Sequence, residues 1–211
     1  MIYTIQEGDT LEQIARKQLG NPILSGLLRE LYWKKIPNAA VLPAGESIYL
    51  PGSEAELEQA FMQVAIQLGR TGMEENEGGP FGAIVVCEGE IIGRGNNQVT
   101  SSNDPTAHAE VLAIRHACAH LQNFVLHDCV IYTSCEPCPM CLGAIYWARI
   151  ERIVYAGTRH DAAQYGFSDE DIYRECTVPL HERTIPIENV AREEALAMFR
   201  AWDKKTDKTL Y

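Results

Sequence analysis

Apolar positions recur along this chain at helical and strand-like spacings in alternation. Tyr3-Thr4-Ile5 alternates like a short strand, and Glu7-Gly8-Asp9 reads as a turn. Leu11, Ile14, Ala15 and Leu19 share one helical face behind a capping box, with Thr10 as cap and Gln13 reaching back. Gly20-Asn21-Pro22 stops that helix, and a second is predicted over 23–33. After a turn at 42–47, Ile48-Tyr49-Leu50-Pro51 closes the unit as a strand. The order is strand, helix, helix, strand, and Pro51-Gly52-Ser53 marks a boundary between residues 1–52 and 53–211.

Beyond that boundary Ser53 caps a helix whose first turn carries Glu54 and Glu56. Leu57, Phe61, Val64, Ala65 and Leu68 form its apolar face, and residues 69–79 read as a loop. Ala83–Cys87 is a continuous apolar run of the buried kind, and Ile91–Arg94 is its hairpin partner. A polar loop at 95–106 leads to a helix over 107–121. Cys129–Thr133 is a strand, 137–148 a helix with Pro137 at its start, and Arg152–Ala156 another buried strand. Helical segments around 169–174 and 191–201 end the chain. This alternation predicts an α/β fold, a three-layer α/β/α sandwich preceded by a small βααβ unit.

Composition narrows the partners. Residues 1–53 carry five basic and five acidic side chains, so the whole net charge of −11 falls on residues 54–211. A polyanion-binding surface needs concentrated Lys and Arg. The acidic balance points to a small-molecule substrate and away from nucleic acid. No apolar run approaches the roughly 20 residues that span a bilayer, so no membrane partner is expected. Seven cysteines, an odd count, and an N-terminus without the basic and apolar regions of a secretion signal predict reduced thiols and a cytoplasmic setting. Cys87, Cys118, Cys129 and Cys176 read as small core residues.

The chemistry concentrates in Ala107-His108-Ala109-Glu110 and in Ser134 through Cys141, Ser-Cys-Glu-Pro-Cys-Pro-Met-Cys. His108, Cys138 and Cys141 are three good zinc ligands. Three protein ligands leave a fourth tetrahedral position for water, the mark of a catalytic and not a structural zinc. Glu110, two residues beyond the histidine, is placed to carry protons. This H-x-E with a downstream P-C-x-x-C is the signature of zinc nucleobase deaminases. A structural zinc would need a fourth ligand, for which Cys135 and His127 stay open. His116 and His120, one helical turn apart, read as solvated side chains.

On these stretches, residues 54–211 resemble the cytidine deaminase superfamily, and within it the bacterial guanine deaminases. Gly79–Ala83, Asn96-Asn97 and Ser102–Glu110 carry the resemblance, with 132–149, 158–169 and Arg183-Thr184-Ile185-Pro186. It implies zinc-dependent conversion of guanine to xanthine and ammonia. Glu110 and Asp169 are the implied catalytic residues; Asn97, Phe81, Ala109, Trp147 and Tyr211 are the implied substrate contacts. It further implies a homodimer that exchanges its C-terminal segment. Rival activities are deamination of cytosine, adenine or an amino-triazine, or of tRNA adenosine. A rival of another class is a glycan-binding scaffold with an inactive deaminase fold. Residues 3–15 and 42–51 resemble the opening and close of the LysM domain, which implies N-acetylglucosamine polymers as a ligand of the first 52 residues.

Overall fold

Thr10 caps the first helix of the N-terminal unit: its hydroxyl accepts the Gln13 N–H, and the Gln13 side chain accepts the Thr10 N–H at 3.2 Å. The computed structural model describes residues 1–38 and 41–210. Strand β1 (Ile2–Thr4) pairs antiparallel with β2 (Ser47–Tyr49), and helices α1 (Leu11–Leu19) and α2 (Ser25–Tyr32) lie between them in sequence. The expected order of four elements is therefore present. Its buried residues Ile5, Leu11, Ile14, Leu27, Leu28, Ile48 and Leu50 do not form a closed core of their own. They run without a break into Phe61, Val64 and Ala65 of the next helix and Ile84, Val86 and Tyr132 of the main sheet.

That next helix, α3 (Glu54–Glu74), is capped by Ser53, whose hydroxyl accepts the Glu56 N–H. It runs past Gly69, where a loop was expected from the sequence. Gly69 breaks nothing because it is a packing residue: a Cβ there would meet the Gly82 nitrogen at 2.8 Å. The missing side chain lets α3 lie directly on strand β3.

The main sheet has the order β4-β3-β5-β6. Strands β3 (Gly82–Cys87) and β4 (Glu90–Asn96) form the hairpin. A short helix α4 (Val99–Ser102) interrupts the loop that follows. Helix α5 (Ala109–Leu121) then precedes β5 (Cys129–Cys135), which pairs antiparallel with β3. Helix α6 (Pro139–Trp147) connects β5 to the parallel strand β6 (Arg152–Gly157). Helices α7 (Arg159–Ala163), α8 (Glu170–Thr177) and α9 (Arg192–Lys204) complete the chain. α3 covers one face of the sheet and α5 with α6 the other, which is the expected three-layer sandwich.

Several sequence expectations need correction. β6 is an edge strand with Arg152, Tyr155 and Ala156 exposed, not a buried one, because nothing pairs with its outer side among the described residues. Cys176 is exposed, not core, since α8 buries none of its residues. The proline at the start of α6 is Pro139, one residue after Cys138, so Cys138 occupies the cap and not the first turn. α5 likewise starts at Ala109, with His108 at its cap.

Candidate active site

Two helix starts converge at one end of the sheet. His108 holds the cap position of α5 and Cys138 that of α6, both in extended backbone, and Cys141 lies one turn into α6. The positive ends of both helices favour thiolates there. Close approach sets the position of α5. A Cβ on Gly95 would stand 2.1 Å from the Ala109 carbonyl oxygen, and one on Gly93 2.2 Å from that of Ala113. Two glycines in β4 thus draw α5 against the sheet and carry His108 and Glu110 with it.

Among the described residues, His108, Cys138 and Cys141 form the group whose possible ligand atoms all lie within 4.8 Å of one another. The His108 Nδ1 is 3.6 Å from the Cys138 Sγ and 3.5 Å from the Cys141 Sγ. Cys138 is held down to about 4, first by a hydrogen bond from Cys141 and then by His108. Cys141 is pushed up by that same bond, by burial and by the nearby Glu110 charge. Only one of two such close sulfurs can ionise unaided. A dication between them removes the conflict, and two sulfurs with one imidazole is a donor set suited to zinc. Neither alternative fourth ligand joins the group. Cys135 donates to the Thr158 carbonyl at 3.6 Å, and burial pushes its thiol up to about 11.

Glu110 is 6% exposed, and burial raises its carboxyl above the ordinary range. Its Oε2 accepts from the Cys141 thiol at 3.5 Å. Its Oε1 accepts the Thr133 hydroxyl at 3.1 Å. A proton-carrying carboxyl thus lies beside the ligand set, held by the Thr133 hydroxyl.

A cleft of about 490 Å³ opens onto His108, Glu110 and Cys138, with Phe81, Asn97, Phe167 and Asp169 on its walls. Asn97, 7% exposed, accepts the Gly79 and Val99 N–H groups on its Oδ1, both at 3.2 Å. Its carboxamide oxygen is committed to backbone, so its NH2 is the end offered to a ligand. Phe81 and Phe167 meet edge to face, centroids 4.9 Å apart at 88°. Asp169 stands at the cap position of α8 without making a side-chain cap bond. Burial raises its carboxyl, with the Cys138 charge adding to the effect.

The structure therefore brings His108, Cys138, Glu110, Asn97, Phe81 and Asp169 to one cleft, with Cys141 buried behind His108 and Cys138. It does not bring Trp147 or the Ala109 side chain there. Ala109 is fully buried in the second core cluster, its carbonyl against Gly95 of β4. Trp147, 63% exposed, is the last residue of α6, at the opposite end of the helix from Cys138, and lines a separate cavity with Trp202. Tyr211 lies outside the described residues. Phe167 and Thr133 were missed by the sequence reading. Phe167 sits two residues before Asp169, within a stretch already singled out by resemblance; Thr133 had only its place at the end of a buried strand.

Comparison with known proteins agrees with this site. Residues 55–157 match the cytidine and deoxycytidylate deaminase zinc-binding region, and zinc is the ion these ligands suit. The chain is 52% identical over 153 residues to the guanine deaminase of Bacillus subtilis, covering 72% of this chain and 98% of that protein. The crystal structure of the B. subtilis enzyme superposes with a TM-score of 0.71. A guanine deaminase structure from Nitrosomonas europaea is 27% identical with a TM-score of 0.50, covering 73% of this chain and 93% of that one. The tRNA-specific adenosine deaminase of Aquifex aeolicus is 42% identical over 99 residues, 47% of this chain and 65% of that protein. With identity above one half across nearly the whole of the B. subtilis enzyme, this chain belongs to the guanine deaminases of the cytidine deaminase superfamily.

Proposed function

We propose that the chain hydrolyses guanine to xanthine and ammonia. The observation that carries this is the reach of the similarity. It extends over 98% of the B. subtilis guanine deaminase, whereas the match to the Aquifex tRNA enzyme stops at 99 residues. His108, Cys138 and Cys141 would hold zinc, which would draw the pKa of a bound water toward about 7. Glu110 takes the proton from the attacking water and returns it to the amino nitrogen leaving C2, so water's oxygen stays on the ring and ammonia departs. Asn97 donates from its NH2 to the purine, Phe81 supplies a flat apolar wall, and Asp169 accepts from the amino or N1 edge. The test is ammonia release by purified protein offered guanine, adenine, cytosine, guanosine and tRNA. Turnover of guanine alone supports the reading; turnover of cytosine or tRNA without guanine overturns it.

The active form is a homodimer that exchanges its C-terminal segment. Tyr146, Trp147, Tyr155, Met198 and Phe199 supply the exposed apolar surface that such an exchange would cover. Across such an interface Trp147 could meet a base that it does not approach within its own chain. Residues 1–52 form a LysM-like domain docked on 53–211, and its ligand class is an N-acetylglucosamine glycan. The exposed Trp33 and Tyr49 rings supply the apolar faces on which sugars stack. Retention on chitin or peptidoglycan, compared with cellulose, tests that assignment. The protein works in the cytoplasm, supported by its reduced thiols and by the fact that no helix among the described residues is long and apolar enough to cross a membrane.

A further inference from the structure

Asp169 lies two residues after Phe167, which packs on Phe81. It heads α8, none of whose residues is buried, and its carboxyl makes no cap bond. One side chain ties that segment to the metal ligands. The Tyr173 hydroxyl donates to the Pro137 carbonyl at 3.1 Å, next to Cys138. The Tyr173 N–H donates to the Asp169 carbonyl at 3.1 Å, the first turn of α8. The Tyr173 ring lies under the Arg159 guanidinium, 4.2 Å from its carbon to the ring centroid. Arg159 in turn donates its backbone N–H to Glu136 Oε2 at 3.1 Å, within the Cys-Glu-Pro-Cys loop. Arg159 and Glu136 both line the cleft with Asp169.

We propose that Tyr173 is a positioning residue: braced by Arg159, it fixes the distance between Asp169 and the ligand loop around Cys138, and so places the carboxylate against the base edge. This deepens the guanine reading and rests on it. The tie is made of one hydrogen bond and one cation–π contact, so it can be cut in two steps. Tyr173→Phe keeps the ring under Arg159 and loses the bond to Pro137. Tyr173→Leu loses both.

The experiment measures guanine turnover by the full chain and these two variants, with zinc content and Tm beside it. A wild-type protein that releases no ammonia from guanine defeats the functional reading itself. If the wild type is active, kcat/KM is expected to fall about tenfold in Tyr173→Phe and about a hundredfold in Tyr173→Leu, as misplacement by an ångström does. Zinc content should hold. The deciding arm is binding of guanine to protein carrying Glu110→Gln, which needs no turnover. There Tyr173→Phe should weaken binding when Asp169 is present and have no effect when Asp169→Asn is added, because residues acting through one contact are not additive. Equal weakening in both backgrounds, or unchanged turnover in both Tyr173 variants, overturns the proposal.

Discussion

The Thr133 hydroxyl donates to the Glu110 carboxyl at 3.1 Å, and both side chains are buried. Thr133 stands on β5 opposite Ala83 of β3, at the centre of the sheet. The bond therefore transfers the rigidity of the sheet to the one carboxyl beside the ligand set. It occupies Oε1 and leaves Oε2 turned toward Cys141 and the metal position.

Thr133→Val keeps the shape of the side chain and removes that donor. A hydrogen bond to a charged group is worth roughly 1.5–3 kcal/mol, which converts to about a 10- to 100-fold loss in kcat. Zinc content and fold should be retained, because the valine fits the strand. Steady-state kinetics with metal analysis checks this, and a variant with wild-type kcat would show that Glu110 needs no such support.

Glu110→Gln preserves size and polar character but removes the group that ionises. Proton transfer by a positioned side chain contributes about 10²–10⁴-fold. Turnover should fall by at least that range while zinc stays bound, since Glu110 is not among the three ligand candidates. Near-normal ammonia release from the zinc-loaded variant would assign the proton traffic elsewhere.

The sequence made much of this legible because the chemistry is compressed into two short motifs. His108 and Glu110 share one helix start, Cys138 and Cys141 another, and residue types at those spacings leave few alternatives. The capping box at Thr10 and the Ser53 cap were readable for the same reason: both are local. Long-range placement was not. Gly69 looked like a breaker because a glycine's role in close packing depends on what lies opposite, here Gly82. Arg152–Ala156 looked buried because an apolar run does not say whether its strand lies at a sheet edge. Trp147 was linked to the substrate by resemblance, yet it closes the nine-residue helix that Cys138 caps at the other end. Thr133 carried only its place at the end of a buried strand; its role appears only when β5 passes beneath α5.

The thiols should separate by environment. Burial and a neighbouring Cys87 push Cys129 up to about 12, so it carries almost no thiolate at neutral pH. Cys176 is exposed. Alkylation of the native zinc protein with iodoacetamide, followed by peptide mass mapping, should label Cys176 first and leave Cys129 unmodified. Chelation should then open Cys138, whose depressed pKa makes it a ready nucleophile. Labelling of Cys129 ahead of Cys176 would contradict the burial described.

Continuity of the core predicts that the N-terminal unit does not melt alone. Leu28 is fully buried in the cluster that joins α1 and α2 to α3 and the sheet. Leu28→Ala should cost about 2–5 kcal/mol. Calorimetry should show one transition moved to lower temperature, because the lost packing belongs to both halves. A small early transition followed by an unmoved main one would establish two independently folding units.

Glu56 makes the junction between the halves sensitive to acid. Its carboxylate takes the Tyr49 hydroxyl on Oε1 and the Gly52 N–H, at 2.5 Å, on Oε2. Those bonds, the one from Tyr49 foremost, hold its pKa below the usual value. A group that binds its proton less readily when folded stabilises the fold above its unfolded pKa, and that stabilisation fades as pH falls through the folded pKa. Glu56→Gln should therefore lower Tm at pH 7, and the gap to the wild type should narrow below about pH 4.3, the ordinary glutamate value. Scanning calorimetry of both proteins from neutral to acid pH measures the gap directly. A gap that stays constant across that range would mean Glu56 contributes through shape alone, and the charge at the junction would be idle.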